Sequence, residues 1–148
     1  MKLAQRSGIL TTYALGSCVG ICLYDPVLQL GGMVHIMLPQ NMEKGRANPL
    51  KYADTGIHYA IGQMESRGAQ RSRITAKIAG GAKMFSEGNS AAGNIGQRNI
   101  QAVKLALQWH RIPIIAEDVG GASARTLIFD VSAGIATVRS YGKSDHNL

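Results

Sequence analysis

Apolar and polar positions alternate near both ends of the chain and switch to helical spacing in two stretches between them. Ile9-Leu10-Thr11-Thr12-Tyr13 reads as a short strand entering a Gly16-Ser17 turn. The apolar runs 19–24 and 31–38 flank Asp25-Pro26-Val27-Leu28, a turn signal, and predict a β-hairpin. Asn48-Pro49 predicts a helix start, with Asn as N-cap and Pro at the first helical position. Ala53, Ile57, Ala60, Ile61 and Met64 then recur at helical spacing, and Gly68 closes the helix. Ile74, Ala76 and Ile78 alternate with Thr75 and Lys77 in a strand that ends at Gly80-Gly81. Ile100, Val103, Leu107 and His110 form the stripe of a second helix, which Pro113 stops. Ile114-Ile115-Ala116 reads as a buried strand, and residues 125–131 and 135–141 as two more, joined into a hairpin by Ser132-Ala133-Gly134. Residues 40–48 and 82–94 are polar, Gly- and Asn-bearing loops, the second long enough to suggest a function. The polar tail 142–148 is expected to fray.

This order of elements predicts an α+β fold in which two helices pack on one face of a mainly antiparallel sheet. No Gly-rich stretch has dinucleotide-binding or Walker spacing. The length of 148 residues suits a single domain over residues 1–148 with one core, and 45% hydrophobic residues with 18 glycines describe a globular chain with many tight turns. No apolar run approaches the ~20 residues that cross a bilayer, and the first residues lack a signal-peptide core. Two cysteines four positions apart in one strand lie roughly 13 Å from each other and cannot pair, which suits a reduced, cytoplasmic setting. The net charge of +7 admits nucleic acid, an anionic membrane or an acidic protein as partner. The basic residues are scattered, however; Arg67, Arg71, Arg73 and Lys77 are the densest group, and no basic segment carries aromatic interleaving for base stacking. Nucleic acid is therefore disfavoured, and an acidic protein surface explains the charge equally well.

Candidate chemistry centres on the hairpin. If Tyr24 faces Gln29 across a four-residue turn, paired positions sum to 53 and Cys18 faces His35. A register two residues away makes them diagonal neighbours on the same face. Cβ atoms are roughly 5 Å apart in the first case and about 7 Å in the second. A thiol and an imidazole at that range are the minimum machinery of a cysteine nucleophile with its base. The plain alternatives are a small buried hydrophobe for Cys18 and a hydrogen-bonded structural residue for His35. Cys22 reads as core. The imidazole needs an orienting group, and the only carboxylate in the hairpin, Asp25, sits at its far turn; Thr11, Thr12 and Ser17 are the hydroxyl candidates. Backbone N–H groups of the turn before Cys18 are candidates for an oxyanion hole. Such a site suits acyl transfer on an amide, ester or thioester. Metal binding is weaker, because Cys18, Cys22, His35, His58 and His110 show no ligand spacing, and no cofactor is expected.

Several segments, in order, closely resemble the CheD family of chemoreceptor glutamine deamidases. They begin with Thr12-Tyr13-Ala14-Leu15-Gly16-Ser17-Cys18-Val19, Leu23-Tyr24-Asp25-Pro26 and Gly31-Gly32-Met33-Val34-His35-Ile36-Met37-Leu38-Pro39. They continue with Lys51-Tyr52-Ala53-Asp54, Lys77-Ile78-Ala79-Gly80-Gly81-Ala82, Asn94-Ile95-Gly96-Gln97-Arg98-Asn99 and Ala116-Glu117-Asp118-Val119-Gly120-Gly121. The resemblance implies a three-layer α/β/β sandwich like the catalytic domain of cytotoxic necrotizing factor. It implies Cys18 as nucleophile, His35 as base and Thr12 as the group that orients it, with Ser17 and Arg125 near the site. The implied reaction hydrolyses selected glutamine side chains of methyl-accepting chemotaxis receptors to glutamate through a thioester, releasing ammonia, with methyl-ester hydrolysis as a related activity. Family members also bind CheC, a phosphatase, so a non-enzymatic or dual-role adaptor for CheC is the alternative reading. The Gly80-Gly81-Ala82-Lys83-Met84-Phe85 segment is a candidate contact for receptor or CheC. Family chains carry a further segment ahead of the first strand, whereas only a few residues precede Gly8 here, which leaves an N-terminal edge strand open to truncation.

Overall fold

The computed structural model describes residues 1–42, 48–84 and 94–148. In chain order the described elements are β1 (Lys2–Gln5), β2 (Ile9–Leu15), β3 (Val19–Asp25), β4 (Leu30–Ile36), α1 (Ala53–Glu65), β5 (Thr75–Gly80), α2 (Ile95–Trp109), β6 (Ile114–Val119), β7 (Arg125–Asp130), β8 (Ile135–Ser140) and β9 (His146–Asn147). They form a five-stranded sheet ordered β1-β4-β3-β5-β6 and a four-stranded sheet ordered β2-β7-β8-β9. All pairings are antiparallel except β5 with β6. The class is α+β, as the order of elements predicts.

Side-chain alternation separates two cores. Val19, Ile21 and Leu23 of β3, with Val34 and Ile36 of β4, pack under Ile57, Ile61 and Met64 of α1 and Val103 and Leu107 of α2. The opposite face carries Cys22, Met33 and Ala79 against Leu10, Leu127, Phe129 and Val138 of the second sheet. The layers are helices, five-stranded sheet and four-stranded sheet. Burial on both faces is why the β3 and β4 segments read as continuous apolar runs rather than as strict alternation. It also explains Lys77. Its alternating position suggests a solvent face, but the second sheet covers that face, and Nζ donates to the carbonyls of Gly134 and Leu148 at 3.1 and 2.8 Å.

Several expectations change. Asn48 does cap a turn, accepting from the Leu50 N–H at 3.0 Å, but the turn is a short 3₁₀ segment, Pro49–Lys51. The chain then passes through extended Tyr52, and α1 starts at Ala53. The predicted stripe of Ala53, Ile57, Ala60, Ile61 and Met64 is buried as expected, and Gly68 takes the left-handed conformation (φ +92°) beyond the helix end. The strand at 114–116 is not buried. Among the described residues β6 is the edge of its sheet and pairs only with β5, and Ile115 is 57% exposed. In the tail β9 pairs with β8, and the Leu148 N–H donates to Ala136 O at 2.8 Å. At the other end, β1 pairs with β4 and forms an edge strand that no pattern before Ile9 had suggested. The loops expected at 40–48 and 82–94 fall largely outside the described residues.

Candidate active site

The hairpin register is two residues from the simplest one. Asp25 faces Leu30 and Gly20 faces His35, so paired positions sum to 55. The four-residue turn holds Pro26 to Gln29 rather than Asp25 to Leu28. The shift follows from Asp25, which is fully buried and already in the ladder; its carboxylate accepts from the backbone N–H of Val27 and Leu28 and from the Arg73 guanidinium. Cys18 stands one residue before β3. Continuing the register puts it diagonal to His35, the second of the two arrangements read from the sequence.

His35 is half-buried near the end of β4 and points toward the second sheet. There Thr12 Oγ1 and His35 Nδ1 form a hydrogen bond of 2.8 Å. The two residues sit in different sheets, and Gly20 makes the contact sterically feasible. A Cβ at position 20 would lie 3.1 Å from Thr12 Cγ2 and 2.9 Å from Leu15 Cδ1. Thr12 faces inward with Leu10, and a bulge between Thr12 and Leu15, with Ala14 at φ +54°, resets the alternation so that Leu15 is buried too. Of the hydroxyls considered, Thr12 is the one bonded to the imidazole. Asp25 lies at the opposite end of the hairpin, as expected.

The Cys18 turn is pinned by three successive carbonyls. Gly16 O accepts from the Ala82 N–H at 2.7 Å, Ser17 O from Asn99 Nδ2 at 2.9 Å, and Cys18 O from the Gly81 N–H at 2.8 Å. Gly80 (φ +114°) must be glycine, since a Cβ there would collide with Cys18 O. Ser17 thus takes part through its backbone. Arg125 faces Leu15 across the β2–β7 ladder and is itself tied to Asp118 Oδ1, Ser123 O and Gly120 O. It braces the loop whose Gly121 O receives the Lys83 N–H. Met84 is 45% exposed and lies over Gly16, while Phe85 is outside the described residues.

Burial sets the electrostatics. It pushes the Cys18 thiol above its ordinary 9.0. Burial, and secondarily the positive amino group of Met1, pushes His35 below 6.5. Both groups therefore favour their neutral forms. Cys22 is buried among the inter-sheet side chains, its thiol pushed up to about 12 by desolvation, which fits an inert core position. His58 and His110 lie away from this site, their rings 5.4 Å apart beside a groove of about 570 Å³ between α1 and α2. Among the described residues no three His, Cys, Asp or Glu side chains are grouped as metal ligands, and no helix is long and apolar enough to cross a membrane.

Asn99 is the site residue that the sequence reading missed. A polar side chain inside the buried stripe of α2, between Gly96 and Val103, was the available signal.

The class of molecule is a three-layer α/β/β sandwich, with Thr12 and His35 bonded between its two sheets and Cys18 in the turn one residue before β3. Comparison places it further. A family model described as CheD chemotactic sensory transduction matches residues 37–140. A Syntrophomonas wolfei protein is 49% identical over 97% of this chain and 91% of its own length. A Symbiobacterium thermophilum protein is 46% identical over 100% of this chain and 92% of its own. One from Clostridium botulinum is 48% identical over 96% and 89%. All three are named "Probable chemoreceptor glutamine deamidase CheD". The chain belongs to the CheD family. The family-model match begins after His35, so the part of the chain with Thr12, Cys18 and His35 is covered by the relatives' alignments rather than by the model.

Proposed function

We propose that this chain is a cysteine-dependent protein-glutamine deamidase acting on chemoreceptors, with Cys18 as nucleophile, His35 as base and Thr12 as the group that orients the base. The observation that carries the reading is the Thr12–His35 hydrogen bond between the two sheets, made beside the pinned turn that presents Cys18. The relatives' names supply the substrate.

With Nδ1 protonated, His35 donates to Thr12 Oγ1 and leaves Nε2 as the free acceptor. Nε2 takes the thiol proton as Sγ attacks the side-chain carbonyl carbon of a receptor glutamine. Backbone N–H groups of the turn serve as donors for the oxyanion. Collapse of the tetrahedral intermediate breaks the carbon–nitrogen bond, and the imidazolium returns the proton to departing ammonia. Water, deprotonated by His35, then hydrolyses the thioester to glutamate and restores the thiol. A receptor methyl ester enters the same cycle with methanol as the leaving group. The setting is the cytoplasm, where the thiol stays reduced.

The test is incubation with receptor cytoplasmic fragments and mapping of Gln-to-Glu changes by mass. Cys18→Ala and His35→Ala are expected to abolish the changes, and Thr12→Val to slow them by about 10²-fold or more, the range for losing a positioned acid–base group. Full activity in Cys18→Ala would overturn the assignment. A chain that serves only as an adaptor for CheC would lose no CheC binding on that exchange and would release no ammonia at all. Cleavage of the receptor backbone would mark a peptidase instead.

A further inference from the structure

We propose that Asn99 is a positioning residue for this chemistry: its carboxamide ties the turn that carries Cys18 to the strand that carries His35. The proposal rests on the thiol–imidazole reading above and adds to it the element that holds the pair in register.

The β3–β4 ladder ends at Val19 opposite Ile36. Cys18 lies just beyond that end, where the two strands have no further pairing to hold them together. Asn99 bridges this gap from α2. Nδ2 donates to Ser17 O and to Met37 O, each at 2.9 Å. One acceptor precedes Cys18 by a residue; the other follows His35 by two. Both acceptors are carbonyls, so the amide orientation is settled by chemistry, since the oxygen in that place would face two oxygens. The peptide joining Ser17 to Cys18 is trans, so anchoring its C=O also directs the Cys18 N–H away from α2. That N–H is one of the turn's donors for the oxyanion.

The rest of the Asn99 environment argues against simple filling of the core. The residue is fully buried, and Oδ1 has no hydrogen-bond partner among the described residues. An orphaned buried acceptor carries a desolvation penalty that no bond offsets. Its neighbours on the stripe, Ile100 and Val103, fill the same core without that penalty. What the amide supplies, and an apolar side chain would not, is a two-pronged donor at the open end of the hairpin. Among the described residues the other two pinned carbonyls of the turn are held by backbone N–H groups, those of Ala82 and Gly81.

The experiment compares Asn99→Ala, Asn99→Ser and Asn99→Asp with the parent chain and Cys18→Ala, measuring kcat and KM for deamidation of a receptor cytoplasmic fragment well below each variant's melting point. The Ala and Asp variants lose both donor bonds and are expected to lose about 10²-fold in kcat, with KM essentially unchanged, as for a small misplacement of reacting groups. Asn99→Ser keeps one donor and should fall between. Asp has nearly the shape of Asn, so it carries the test if the Ala variant does not fold. A folded variant with parental kcat, or a loss confined to KM or to the melting temperature, overturns the proposal. If Cys18→Ala is inactive while Asn99→Ala is fully active, only the role of Asn99 fails. Activity surviving in Cys18→Ala removes the reading on which it rests, and the proposal with it.

Discussion

A nucleophilic cysteine is commonly made reactive by a neighbouring cation or a helix N-terminus that lowers its pKa. Among the described residues burial is what shifts Cys18, raising its thiol above 9.0, and the same kind of environment holds His35 below 6.5. Both directions favour a neutral thiol and a neutral imidazole over a preformed ion pair. In the proposed mechanism the thiolate is then generated during attack, by proton transfer to Nε2, which makes the protonation state of His35 decisive. A depressed histidine pKa keeps the base form populated further into acid. The acid limb of kcat/KM is accordingly expected to have its midpoint below 6.5, and alkylation of Cys18 by iodoacetamide to rise with a midpoint above 9.0. An acid limb above the ordinary histidine range would contradict this account. Thr12 matters at this scale because its bond to Nδ1 fixes the orientation of the ring, and in the proposed mechanism it accepts from Nδ1–H so that Nε2 is left as the base.

Among elements, the contact that matters is between sheets rather than within the hairpin. Thr12 on β2 reaches His35 on β4 across Gly20 of β3, a position where the missing side chain brings the layers close. Gly20→Ala is expected to destabilise the fold by about 1–3 kcal/mol through overpacking against Leu15 and Leu127. It should also lower deamidation more than that loss explains, because the added methyl presses on Thr12. Denaturant unfolding gives the first quantity and the receptor assay the second; a variant that is less stable but fully active would show that the sheets can separate without disturbing His35. The β2 bulge belongs to the same picture, since an unbulged strand would turn Leu15 outward once Thr12 faces His35. Sequence periodicity reveals the strands and their inward residues, but a bulge is one extra residue whose position no alternation rule assigns in advance.

At the scale of the molecule, the site occupies one end of the sandwich and a buried ion pair closes the other. Asp25 is fully buried and meets the Arg73 guanidinium at 2.8 Å, with further donors from Gln70, Val27 and Leu28. Burial alone would raise the carboxyl, but the Arg73 bonds and the backbone donors hold it below 3.8. A depressed carboxylate pKa contributes stability that is fully present above the unfolded value and is lost as pH falls through the folded one. The Asp25 contribution should thus persist through neutral pH and fade only below 3.8, as acid unfolding curves of the parent chain and Asp25→Asn would reveal. At neutral pH Asp25→Asn is expected to cost about 3 kcal/mol, leaving the Arg73 charge without its partner; an unchanged denaturation midpoint would refute it. The C-terminal tail is part of this frame as well, with His146 Nε2 3.0 Å from Asp118 Oδ2, the carboxylate that also holds Arg125.

The residues by themselves determined the α+β class, both helix stripes and the hairpin whose strands follow Cys18 and carry His35. These follow from local periodicity and from the fixed geometry of a hairpin, which the chain specifies over short distances. The register was legible only to within two residues, because the burial of Asp25 and its bond to Arg73 settle it, and that contact joins positions 48 apart. The same reason hid the rest. The bond of Thr12 to His35, the clamp by Asn99, the exposure of β6 at a sheet edge and the pairing of β9 with β8 all depend on which elements become neighbours. Periodicity reports which face of an element is buried, but not what buries it; only packing of the three layers supplied the partner.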